Sequence, residues 1–84
     1  MRLDLFLKKT MIIKQRTKAK EFCEKELVRV NGKVAKPSCE IKIGDVIEIE
    51  TIKGINKYKV LKIPEGNVKK SDTNQYYEII YSPW

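Results

Sequence analysis

No histidine occurs in this chain, and its two cysteines, Cys23 and Cys39, stand alone with no Cys-x-x-Cys pair. Four clustered Cys or His ligands for zinc are therefore out of reach. The commonest general base is missing too, so a Ser or Cys nucleophile would lack its usual partner. Apolar runs such as Met11-Ile12-Ile13 stop at three residues, far below the ~20 of a membrane span. Neither a secretory leader pattern nor a dense cysteine framework points to an oxidising compartment. A glycine-rich phosphate loop is absent as well, because Gly32, Gly44, Gly54 and Gly66 are scattered. These absences argue against an enzyme, a metal protein and a membrane protein. The expectation is a soluble, cytoplasmic, monomeric chain with no cofactor and no small-molecule substrate.

What the chain has is positive charge, and all of the net charge lies in its first 36 residues. Eleven Lys and Arg stand there against the acids Asp4, Glu21, Glu24 and Glu26, a balance of +7. Residues 37–84 carry seven of each sign and are neutral. So sharp a division within 84 residues makes one side of the molecule a polyanion-binding surface. The alternative, a merely solubilising basic face, is weaker here because the charges interleave with a patterned apolar stripe.

The stripe has helical spacing at the start. Leu3, Phe6 and Leu7 fall at i, i+3 and i+4, one face of a short helix. Asp4 suits its positive end, and Lys8 and Lys9 suit the other. Met11, Ile12 and Ile13 then form an apolar connector that wedges between elements. A second helix is expected from about Gln15 to Glu26, with Ala19, Phe22 and Cys23 as its apolar stripe. Cys23 on that stripe reads as a small buried hydrophobe.

After Leu27 the period changes from 3.6 to 2. Val28-Arg29-Val30 and Lys33-Val34-Ala35 flank Asn31-Gly32, a strong hairpin-turn pair. Gly44-Asp45 leads into Val46–Thr51, where Ile47 and Ile49 alternate with Glu48 and Glu50, a half-buried pattern. Gly54 and Asn56 are expected to turn the chain into a strand over Lys57–Ile63. Residues 65–75 read as loop, and Tyr76–Tyr81 as a last strand. The expected fold class is α+β, two N-terminal helices on a small, mainly antiparallel sheet. Residues 1–63 are expected to form the main domain, with 64–84 packing onto it. The aromatic end (Tyr76, Tyr77, Tyr81, Trp84) is expected to pack against the open sheet face.

The binding constellation follows from that arrangement. Arg2, Lys14, Arg16, Lys18 and Lys20 come from the two helical elements, and Arg29, Lys33 and Lys36 from the hairpin beside them. Arginine forks suit phosphate bidentately and lysine adds point charge. Aromatic stacking platforms are missing from this half, since Phe6 and Phe22 belong to apolar stripes. Shape and phosphate recognition of structured RNA therefore fits better than base stacking on a single strand. In the competing structural reading, Arg2 or Arg16 pairs at the surface with Asp4 or Glu21.

Five blocks, Arg2-Leu3-Asp4, Arg16-Thr17 with Ala19, Val28–Lys33, Lys36-Pro37-Ser38 and Gly44–Ile47, resemble in order and spacing the S4 RNA-binding domain family, over about residues 1–50. The resemblance implies the S4 fold (the αL motif) and an RNA-binding surface on the helix pair and hairpin. It puts Arg2 and Arg16 first among the candidate RNA contacts, a set that also takes in Lys8, Lys9, Thr17 and Asn31. A stand-alone copy of about this length resembles the ribosome quality-control members of the family and, more distantly, its heat-shock members. They imply binding of ribosomal RNA and tRNA on the large ribosomal subunit after stalling. The long basic tail of the heat-shock type is missing here, which favours the quality-control type. The alternatives are a general S4 module on another structured RNA, or an accessory to an RNA-modifying enzyme, for whose catalytic domain 84 residues leave no room. The family commonly has glycine where this chain has Glu26, which implies a different helix cap or local strain there.

Overall fold

Leu3, Phe6 and Leu7 are fully buried, and this closed apolar face is what the first helix, α1 (Leu3–Lys9), contributes to the core. The computed structural model describes residues 1–66 and 68–82. The first amides of α1 have no helical partner, and the segment before Ile41 supplies acceptors: Leu3 N donates to Cys39 O at 2.8 Å and Asp4 N to Pro37 O at 3.1 Å. Thr10 ends the helix, its Oγ1 donating back to Phe6 O at 2.7 Å. The connector then turns at Met11, φ +63°, and Ile12 and Ile13 pack against the core.

The second helix, α2 (Arg16–Glu24), buries Ala19 and Cys23. It is shorter than the expected span because its stop lies at Glu26, which has φ +62°. Leu27 N donates to Phe22 O at 2.9 Å and Glu26 N to Cys23 O at 3.0 Å. That bond pair is a left-handed helix stop of the kind usually given to glycine. Of the two expectations for Glu26, the different cap is wrong and the local strain is right. A side chain in this region costs roughly 1–2 kcal/mol.

Among the described residues five strands form one antiparallel sheet in the order β2-β1-β3-β4-β5. They are β1 (Val28–Val30), β2 (Lys33–Val34), β3 (Val46–Thr51), β4 (Gly54–Val60) and β5 (Tyr77–Tyr81). Asn31 and Gly32 make the β1–β2 turn with φ of +53° and +85°, the positive pair a tight hairpin requires. Ile47 and Ile49 face the helices and are buried. On the other face Arg29, Glu48 and Lys57 stand opposite one another across β1, β3 and β4.

Strand β4 starts earlier than the spacing predicts. Ile52 and Lys53 make the turn, and Gly54 already pairs with Thr51. Thr51 Oγ1 fastens it by donating to Gly54 O at 2.9 Å. Asn56, expected in the turn, is therefore inside the strand and buried. The span 65–75, expected as loop, contains a 3-10 helix, Lys70–Gln75. In β5, Tyr77 meets Tyr58 edge to face, ring centres 5.5 Å apart, while Ile79, Ile80 and Tyr81 remain exposed. The expectation for Trp84 lies outside the described residues. Among these, no helix is long and apolar enough to cross a membrane.

Candidate nucleic-acid interface

The two helices begin side by side, and each opens on an arginine. Arg2 precedes α1 and Arg16 is the first residue of α2. Both reach the carboxylate of Asp4, with Arg2 Nε 3.2 Å from Oδ1 and Arg16 Nε 3.3 Å from Oδ2. The Asp4 side chain is 0% exposed, while the arginines keep 47% and 44% of theirs in solvent. Pairing with Asp4 is thus real but is not the weak surface pair the sequence suggested. The acid is buried, and the guanidiniums are gathered above it. The sequence carried a signal for this: Asp4 lies three residues before Leu7, at the margin of the apolar stripe, where a carboxylate must find partners.

Beside Arg2 runs a groove of about 610 Å³ between α2 and residues 34–38. Lys20 and Lys36 line it together with Arg2, and so do Glu24 and Glu26. In the sequence these acids belong to the charge balance, and Glu26 to the helix stop, but not to the binding surface, and here they make the groove mixed in charge. Cys23 forms part of the wall. Burial first, and the Asp4 carboxylate second, push its thiol up to about 11, so at neutral pH it is not a nucleophile.

The remaining candidates are spread more widely. Lys8 on α1, Lys14 in the connector, and Thr17 and Lys18 on α2 are exposed. Lys18 approaches Glu21 at 3.7 Å and Lys25 bonds the same carboxylate at 2.9 Å; these lysines, Lys25 first, hold Glu21 below the usual carboxylate range. Lys9 is tied back to the chain, its Nζ donating to Gly66 O at 2.7 Å. Asn31 spends its amide on β3, through Asp45 and Val46. Lys33 is exposed opposite Val30. Arg29 lies on the sheet face turned away from the helices, opposite Glu48. The fold therefore brings together Arg2, Arg16, Lys20 and Lys36, and it separates Arg29, Lys9 and Asn31 from them by position or by prior engagement.

A surface of this kind can bind a phosphate backbone and, among the described residues, has no cluster able to hold a metal ion. Residues 1–47 match the S4 domain family. The chain is 44% identical over 77 residues to the RQC P-site tRNA stabilizing factor of Helicobacter pylori strain J99, covering 90% of this chain and 92% of that one. It is 44% identical over 80 residues to the protein of the same name in Streptococcus pneumoniae strain R6, with 95% and 90% covered. Among solved structures it is similar to the trimeric heat shock protein 15 of Vibrio cholerae, at a TM-score of 0.85 and 28% identity over 94% of this chain and 80% of that one.

Proposed function

The chain belongs to the S4 domain family, and from that premise we propose that it is a non-catalytic RNA-binding protein of ribosome-associated quality control. It binds ribosomal RNA and tRNA on the large ribosomal subunit in the cytoplasm and steadies tRNA in the P site when a ribosome has stalled. The observation that carries this reading is the convergence of Arg2 and Arg16 on buried Asp4, next to a groove lined by Lys20 and Lys36. Exposed guanidiniums beside a groove that also carries Lys20 and Lys36 meet phosphate oxygens in pairs, which recognises backbone shape rather than base sequence. Relatives named for stabilising P-site tRNA, matched over nearly their whole length, support the choice of RNA.

Sucrose-gradient fractionation with sequencing of co-purified RNA tests it. The protein should travel with large subunits and bring down tRNA and large-subunit ribosomal RNA. Sedimentation at the top of the gradient in low salt, or enrichment of an unrelated RNA, would refute the assignment.

A further inference from the structure

We propose that Asp4 is a positioning residue that makes Arg2 and Arg16 into a seat for a single RNA phosphate, an inference that rests on the RNA-binding reading above. Two guanidiniums brought from separate elements repel each other, and nothing in the chain connectivity would hold them together. Asp4 supplies the attraction. Its Oδ1 accepts Leu5 N at 2.8 Å and lies 3.2 Å from Arg2 Nε. Its Oδ2 accepts Arg16 Nε at 3.3 Å and Arg2 Nη2 at 3.4 Å. The carboxylate is thereby held by its own backbone on one side and by both arginines on the other.

Burial gives the arrangement its direction. With the Asp4 side chain fully buried and both arginines close to half exposed, the carboxylate is screened from an approaching polyanion. The arginines are not. A guanidinium carries five N–H donors, and the bonds to Asp4 occupy the Nε edge of Arg16 and the Nε and Nη2 groups of Arg2. Donors remain on both for a ligand. The cluster of two cations and one anion keeps one positive charge, which matches the single negative charge of a phosphodiester. Arg2 also lines the groove that continues past Lys20 and Lys36, so a backbone seated here has a path onward.

Charge and position make opposite predictions for Asp4→Asn. The substitution raises the net charge of the protein by one, so a purely electrostatic surface should bind RNA more tightly. A seat that depends on Asp4 should bind more weakly, because the neutral amide no longer holds two cations in place. The experiment is fluorescence anisotropy with bulk tRNA in low salt. Asp4→Asn should lose about tenfold in affinity. In an Arg2→Ala, Arg16→Ala background the same substitution should leave affinity unchanged or raise it.

If wild type binds tRNA and Asp4→Asn binds as well or better, the positioning role is wrong and the RNA reading stands. If wild type shows no salt-dependent binding to tRNA or to large subunits, both fall. Should Asp4→Asn not fold, NMR of the arginine Nε–H groups in the wild-type protein decides. Arg2 and Arg16 should give slowly exchanging signals at neutral pH, and both should move on addition of tRNA. Signals that exchange as fast as those of free arginine and ignore tRNA would overturn the proposal.

Discussion

Asn31 and Asp45 are joined across the sheet: Asn31 Nδ2 donates to Asp45 Oδ1 at 3.1 Å, and the other end of the same amide accepts Val46 N at 3.0 Å. Asp45 Oδ2 in turn accepts Lys42 N at 2.9 Å. One turn residue thus fixes the β1–β2 hairpin to the start of β3, and with it the side of the groove formed by residues 34–38.

The first prediction follows. Asn31→Gly keeps the positive φ accessible and removes only the amide, so stability should drop by about 1–2 kcal/mol for the lost hydrogen bonds. Asn31→Ala should drop further, because alanine also resists the left-handed backbone. Thermal melting of the two variants checks this. RNA affinity of the folded Asn31→Gly protein should change little; a lost affinity with an unchanged melt would make Asn31 an RNA contact instead.

Glu26 offers the reverse experiment. Its left-handed backbone at φ +62° is strained for any residue with a Cβ, and Glu26→Gly removes that strain. The variant should gain about 0.5–1 kcal/mol despite glycine's greater freedom in the unfolded chain. A variant less stable than wild type would mean that the glutamate side chain contributes more than its backbone costs.

Cys23 should resist thiol reagents at pH 8 in the native protein, while the half-buried Cys39 reacts first. The raised thiol also sets a direction for stability. An unfolded thiol ionises from its ordinary value of 9.0 and the folded one only near 11, so the unfolded state loses its proton first. The stabilisation is complete below pH 9 and fades as pH climbs towards 11, by on the order of 2 kcal/mol. Burial likewise raises Tyr58, with Tyr77 adding to it, which steepens the loss at the alkaline end. Urea melts of wild type and Cys23→Val between pH 8 and 11 test it: wild type should lose stability relative to the valine variant as pH rises.

RNA binding should weaken steeply with salt. If about five phosphates are neutralised, log K against log salt has a slope of roughly −3.5 to −4.5, and affinity falls on the order of a few hundred-fold between about 50 and 200 mM. A flat dependence would remove the polyanion reading.

Much of this architecture is legible in the sequence, for identifiable reasons. Leu3, Phe6 and Leu7 have helical spacing and a single apolar face to bury. Asn31-Gly32 has one favoured turn, and the alternation from Val46 to Thr51 permits one register. The start of β4 was not legible, because Ile52 and Lys53 carry no turn signature, whereas Gly54 and Asn56 do. The helix stop at Glu26 was half legible: the position was clear, but a glutamate does not advertise a positive φ. At the interface, composition identified the basic half of the chain but not its geometry. Charge counts could not tell that Arg29 lies on the far face of the sheet opposite Glu48, or that Lys9 is taken up by Gly66 O. Nor could they show Asp4 buried beneath two arginines, since that contact depends on how α1 and α2 pack.

The central claim is that the Arg2–Arg16 side of the molecule binds RNA. Its most direct test is co-sedimentation of Arg16→Ala with purified large ribosomal subunits, alongside Arg16→Lys and, from the neutral half, the exposed Lys69→Ala. Arg16→Ala should weaken binding by about 1–3 kcal/mol, and Arg16→Lys should recover only part, since lysine keeps the charge without the planar fork. Arg2 still partners the buried Asp4 in the alanine variant, so its stability should fall by about 1.5–3 kcal/mol, as for the loss of one hydrogen bond to a charged group, and the protein should stay folded. Lys69→Ala should bind like wild type. Undiminished binding by Arg16→Ala together with a loss in Lys69→Ala would place the RNA surface on the opposite half of the protein and contradict the account.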